Sequence, residues 1–381
     1  MRVAILGQYP LHLLPEAGGF PEPPGHWATW FPQLKGAFEA FADLDVHWVT
    51  LSPAAETART VVSGRQTFHL LPTARSRRAS TLFREDRRRI GGVLAELRPD
   101  LVHGWGTEDV YALAAATSGF PNVVSMQGIL SHYVLHSRMH PRDYLQATIE
   151  MGVLWKADRI TTESAWGRDV LLRRSPRARI DLVEYGVRDL FLSVPWEPDP
   201  ACPAALFIGS LTPRKGIQDA VEAFGDPALR DRELWVAGAG GSAWAEALRA
   251  RSTPNVRWLG QQTPEQTAGL LARAWCLVLP TRGDTSPNVV KEARVIGLPV
   301  VTTPCGGQTT YVRNGGAGYL VAAGDVPMLT GRICALLGDL DRTRETGAVD
   351  HLLHRRWLDP ARTAKRFAAV YRGESLGDAI P

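Results

Sequence analysis

Cysteine is scarce in this chain: there are four in 381 residues, Cys202, Cys276, Cys305 and Cys334. They are widely spaced and none has metal-ligand spacing, so they read as reduced core thiols, with neither a disulfide framework nor a zinc site. Long apolar runs are also missing. No stretch reaches the roughly 18 uninterrupted apolar residues that a membrane-spanning helix needs. The opening Met-Arg-Val-Ala-Ile-Leu-Gly reads as a strand and turn, not as a charged segment leading into an apolar signal region. A cytoplasmic protein is the expectation. A surplus of one charge is nearly absent: the net charge is +4, too small for a dedicated nucleic-acid binder with its concentrated basic face. Internal repeats and low-complexity tracts are lacking as well.

Hydrophobic residues make up 45% and charged residues 22%, which is ordinary globular composition, and the length favours two domains. Short apolar runs alternate with helical patterns throughout, as in parallel sheets with crossover helices. Strands are predicted in the first half at Val3 to Leu6, Val46 to Leu51, Leu101 to His103, Val123 to Met126, Arg159 to Thr162 and Ile180 to Val183. The proline-crowded segment Val194 to Pro203 resists both ladder and helix and is placed as the linker. The alternation then restarts at Ala205 to Gly209, Glu233 to Gly238, Val256 to Leu259, Cys276 to Pro280, Pro299 to Thr302 and Gly318 to Val321. The prediction is α/β: two Rossmann-like doubly wound domains, 1–194 and 203–355, facing a central cleft, with a last helix in 356–381 crossing back to the first.

Two stretches carry chemistry. Leu206-Phe-Ile-Gly-Ser-Leu-Thr-Pro-Arg-Lys-Gly216 is a strand, a small-residue turn and two adjacent cations before a helix. At the carboxyl end of a strand, Arg214 and Lys215 can neutralise a diphosphate together with backbone amides, although an exposed basic pair is more often plain surface. Leu279-Pro-Thr-Arg-Gly-Asp-Thr-Ser-Pro-Asn-Val-Val-Lys-Glu292 reads as strand, polar loop and helix opening at Pro287. Ser286 is its natural cap, the first amides are free for phosphates, and Glu292 projects one to two turns later, within reach of a ribose.

These stretches together resemble family 4 glycosyltransferases, which have the GT-B fold and retain anomeric configuration. The resemblance implies a nucleotide-sugar donor, UDP-linked by default with GDP as the alternative, held on the second domain by Gly209, Ser210, Arg214, Lys215, Asp284, Thr285, Ser286, Pro287, Asn288 and Glu292. Glu292 matches the second acid of the family's paired acidic motif, and Asp284 stands where the first is usually Glu. Gly25 matches the glycine-rich turn near the donor. Gln127, in Val123-Val-Ser-Met-Gln-Gly-Ile129, replaces a His that many members carry; Gln hydrogen-bonds a sugar but shuttles no proton. On this reading Arg214, Lys215, Asp284 and Gln127 are the catalytic set, and neither metal nor cofactor is implied.

Pro99 to Gly106, Ala157 to Ser164 and Glu184 to Phe191 also resemble family segments, on the side that receives the acceptor, an unidentified hydroxyl compound. His132 and Tyr133 are candidates for touching it. His103 is another, unless it merely packs at its strand end. His132, His136 and His140 are spaced by four, but no carboxylate or Cys accompanies them as in a metal site. The basic run from Arg75 to Arg89 suits either an anionic membrane surface or a solvated helix face balanced by Glu85 and Asp86. The rival functions are a non-catalytic sugar-nucleotide-binding relative and a nucleotide-sugar epimerase or hydrolase.

Overall fold

In the computed structural model, which describes residues 1–21, 28, 30–76, 78–136 and 139–376, the apolar runs become strands of two separate sheets. The chain divides into one unit comprising Met1–Gly186 and the segment from Pro360 onward, and a second comprising Val187–Asp359. The changeover therefore falls at Gly186, not in the proline-rich stretch. That stretch belongs to the second unit, because the Trp196 indole donates to the Ala274 carbonyl and the Glu197 amide to that of Ala272.

The first unit contains β1 (Arg2–Leu6), β2 (Asp45–Ser52), β3 (Arg59–Ser63), β4 (Gln66–Pro72), β5 (Leu101–Trp105), β6 (Asn122–Met126), β7 (Arg159–Thr162) and β8 (Ile180–Leu182). Their order is β3-β4-β2-β1-β5-β6-β7-β8, and all neighbours are parallel except β3 and β4. That hairpin escaped the sequence reading. Its alternating Val61, Phe68 and Leu70 flank a turn at Gly64, where φ is +62°, and these were the available signal. β5 and β6 are buried along their whole length, since crossover helices cover both faces of a parallel sheet.

A polar chain crosses this core. His103 is fully buried, with Nδ1 2.7 Å from the Tyr371 hydroxyl and Nε2 2.7 Å from Ser125 Oγ, which in turn lies 2.6 Å from Thr161 Oγ1. Burial holds the imidazole neutral, its pKa pushed down to about 3. His103 thus has no surface to offer an acceptor, and it fastens the C-terminal helix Pro360–Tyr371 to β5.

The second unit contains β9 (Ala204–Ile208), β10 (Glu233–Ala237), β11 (Val256–Gly260), β12 (Cys276–Leu279), β13 (Val300–Thr302) and β14 (Gly318–Leu320). All are parallel, in the order β11-β10-β9-β12-β13-β14. β9 and β12 are neighbours although two strands intervene in sequence, so strand order reverses between them. At such a point the loops leave towards opposite faces and open a crevice at the strands' carboxyl ends.

Tyr371→Phe should cost about 1–3 kcal/mol, because it leaves a buried imidazole nitrogen unpaired while keeping the ring. Chemical unfolding of the two proteins at neutral pH measures this, and an unchanged midpoint would refute the role given to His103.

Candidate active site

The loops after β9 and β12 hold the two motifs that stood out in sequence, and here they are bound to each other. Arg214 Nη1 donates to the Gly283 carbonyl at 2.6 Å, and the Arg282 amide donates to the Arg214 carbonyl at 2.7 Å. The Lys215 ammonium is paired with the Asp284 carboxylate, both of them largely shielded from solvent. Behind them Arg282 Nη2 reaches Asp219 Oδ1 at 2.9 Å. Arg214, Lys215 and Asp284, singled out by the sequence pattern and the family resemblance, are therefore neighbours at the switch point; Arg282 and Asp219, which brace them, were not foreseen.

Backbone approach explains the glycines. Gly216, at φ +77°, would drive a Cβ into the Pro280 carbonyl, and Gly306, at φ +152°, would drive one into the Asp284 carbonyl. Asp284 is held on both sides, its amide donating to the Cys305 carbonyl at 3.3 Å and its carbonyl accepting from Gly307 at 2.9 Å. Its carboxylate is presented from a fixed main chain.

The helix after this loop spans Asn288–Ile296, with Pro287 at its N-cap and no side-chain cap. Ser286 is not the cap expected of it, because Pro287 takes that position; its hydroxyl is buried without a hydrogen-bond partner among the described residues. Glu292 lies one turn further on, partly buried. Burial pushes its carboxyl up to about 7, against the pull of Arg188 and Lys291. Of the other predicted donor residues, Gly209 closes β9 with its amide on the Ala237 carbonyl at 3.1 Å. Ser210, Thr285, Pro287 and Asn288 line the two loops in sequence. Gly25 lies outside the described residues.

In the first unit, Gln127 opens the turn after β6 and is partly buried. The neighbouring Gly128 amide donates to Glu108 Oε1 at 2.9 Å. Behind this turn sits Glu150, fully buried, accepting from Thr107 Oγ1 at 2.7 Å and from the amides of Leu130 and Ser131 at 3.0 and 2.9 Å. Burial raises its pKa in spite of those bonds. Gln146 adds a bond to the Thr107 carbonyl. Glu108, Gln146 and Glu150 were all missed. For the last two the legible signal was a pair of polar residues on the face of helix Pro141–Lys156 that also carries Ala147, Val153 and Leu154.

The three histidines do not share one helix face. His132 lies in the helix Leu130–His136, its ring 5.0 Å from that of Trp166, whereas His140 caps the next helix by accepting from the Arg142 amide. Tyr133 neighbours His132 ring to ring. Among the described residues no cluster of His, Cys, Asp and Glu could hold a metal. In the basic run, Arg78 is paired internally with Asp86 and Asp109, and Arg88 and Arg89 with Glu85. No helix among the described residues is long and apolar enough to cross a membrane.

Residues 202–339 match the family described as glycosyl transferases group 1, and residues 33–186 match the glycosyl transferase 4-like domain. D-inositol 3-phosphate glycosyltransferase 1 of Catenulispora acidiphila is 29% identical over 310 residues, 73% of each chain. Glycogen synthase of Mycobacterium tuberculosis is 33% identical over 141 residues, 35% of this chain and 34% of its own. Among solved structures, sucrose-phosphate synthase of Thermosynechococcus elongatus superposes with a TM-score of 0.79 at 20% identity, covering 98% of both chains. Anabaena HepE in complex with UDP and glucose gives 0.71 at 15% identity, covering 98% of this chain and 100% of its own.

The raised carboxyl of Glu292 has a consequence for stability. Between its ordinary value of 4.5 and about 7 the unfolded chain ionises while the folded one keeps its proton, so stability falls as pH rises through that window. Glu292→Gln should melt close to the wild type at pH 5 and above it at pH 8; a melting difference that does not change with pH would exclude this environment for Glu292.

Proposed function

The chain belongs to family 4 of the GT-B glycosyltransferases, and from that premise we propose that it is a retaining, metal-independent hexosyltransferase using a UDP-sugar donor and a hydroxyl acceptor. The observation that carries this reading is the meeting of Arg214 with Gly283 and of Lys215 with Asp284 at the switch point of the second sheet. Uridine is preferred over guanosine because the fold neighbour HepE is described with UDP.

On binding, the donor diphosphate takes the Lys215 ammonium away from Asp284. The two cations then face the oxygen on which negative charge grows as the bond to the sugar breaks. Released from Lys215, Asp284 accepts from a hydroxyl of the donor sugar. The amides of Thr285, Ser286 and Asn288, at an uncapped helix start, and those of Gly209 and Ser210 meet the phosphates and sugar. Glu292 accepts from the ribose. Gln127 hydrogen-bonds a sugar and moves no proton, so the acceptor proton passes to the donor's own phosphate.

A non-catalytic sugar-nucleotide-binding relative is the second reading, favoured by Gln127 alone. Turnover separates the two: sugar transfer supports the enzyme, and tight donor binding without turnover supports the binder. Sugar released from the donor with no acceptor present would indicate a hydrolase instead.

Calorimetric titration with UDP, GDP and ADP should show selective binding of UDP, weakened at least about tenfold in Arg214→Ala through loss of a charge-assisted contact. Absence of binding by all three would refute the donor site. Transfer should be unchanged by EDTA, and loss of activity restored by a divalent cation would refute metal independence.

A further inference from the structure

The donor reading leaves Glu108 without a part, yet Glu108 stands at the corresponding point of the first sheet. β1 pairs with β2 on one side and β5 on the other, so strand order reverses between β1 and β5, and Gly106-Thr107-Glu108 follows β5 directly. This is where a doubly wound sheet opens its crevice. Gly106 has φ +78°, and a Cβ built on it would lie 2.7 Å from Glu108 Oε2 and 3.0 Å from the side-chain oxygen of Gln127. Two hydrogen-bond acceptors from different loops therefore converge over the side chain that Gly106 lacks.

The arrangement is held from behind. Glu108 Oε1 accepts from the Gly128 amide, Glu150 ties Thr107 to the amides of Leu130 and Ser131, and Gln146 ties the carbonyls of Thr107 and Asp109. Glu108 itself remains exposed to solvent. Two oxygens side by side call for hydroxyl donors; desolvation, with Glu150 nearby, raises the Glu108 carboxyl to about 7, so above neutral pH it is a carboxylate and repels a phosphate.

We infer that Glu108 and Gln127 bind two hydroxyls of a neutral, polyhydroxylated acceptor, and that Glu108 selects against a phosphomonoester beside those hydroxyls. The inference rests on the glycosyltransferase reading and assigns the acceptor class for it. Glu108 is then a binding and specificity residue, and the proton of the attacking hydroxyl still leaves on the donor phosphate.

The test is ligand-observed NMR at pH 8, where Glu108 is ionised, on the full chain with UDP present, using myo-inositol against myo-inositol 1-phosphate and glucose against glucose 6-phosphate. Wild type, Glu108→Gln and Glu108→Ala are compared. The glutamine keeps an oxygen for the Gly128 amide while removing the charge and turning the other oxygen into an NH2 donor, so a purely bracing role would leave its ligand binding unaltered. The wild type should bind the neutral member of at least one pair more tightly than the phosphorylated member. Both variants should weaken the neutral probe, Glu108→Ala by about tenfold, and the glutamine should narrow the preference. Tighter binding of the phosphorylated probes by the wild type, neutral binding unchanged in Glu108→Gln, or no probe bound at all would each overturn the inference. UDP binding read in the same samples separates that failure from failure of the donor assignment.

Discussion

The donor-side arrangement depends on one constraint, the close approach of main chain to main chain at the reversal between β9 and β12. Gly216 lies against the Pro280 carbonyl and Gly306 against that of Asp284, each in a conformation that admits no Cβ. Because the loops are pinned by backbone, the charged side chains they carry need no long-range packing to be placed. Arg214 reaches the Gly283 carbonyl and Lys215 reaches Asp284 as a consequence.

The electrostatics of the two units differ in kind. In the second unit a pair of cations is offset by a carboxylate that can be exchanged for an anionic ligand, and Glu292 is held near its neutral form by burial. In the first, Glu150 is sealed in the core and serves structure, joining the loop after β5 to the start of helix Leu130–His136. A carboxylate at that helix start also meets the positive end of the helix dipole. The exposed carboxyl of Glu108 is presented from that rigid support.

Much of the fold was legible because parallel strands buried on both faces are continuous apolar runs, as in Ala204–Ile208 and Cys276–Leu279. The edge hairpin Arg59–Ser63 with Gln66–Pro72 was not, since its strands are mixed in polarity and its turn signal is a single glycine. The proline-rich stretch was misplaced as a boundary because composition reports resistance to helix and ladder. It does not report that Trp196 and Glu197 find partners at Ala274 and Ala272.

Sequence by itself determined the alternation of strands and helices, the two cations after β9 and the acids eight positions apart, all of which depend on neighbours along the chain. Tertiary structure alone decided which groups meet. It brought Arg214 to Gly283, buried His103 between Ser125 and Tyr371, left Ser286 uncoupled from the helix it precedes, and set Glu108 beside Gln127. The physical reason is that burial and pairing depend on strand order, and strand order brings together residues that spacing along the chain leaves far apart.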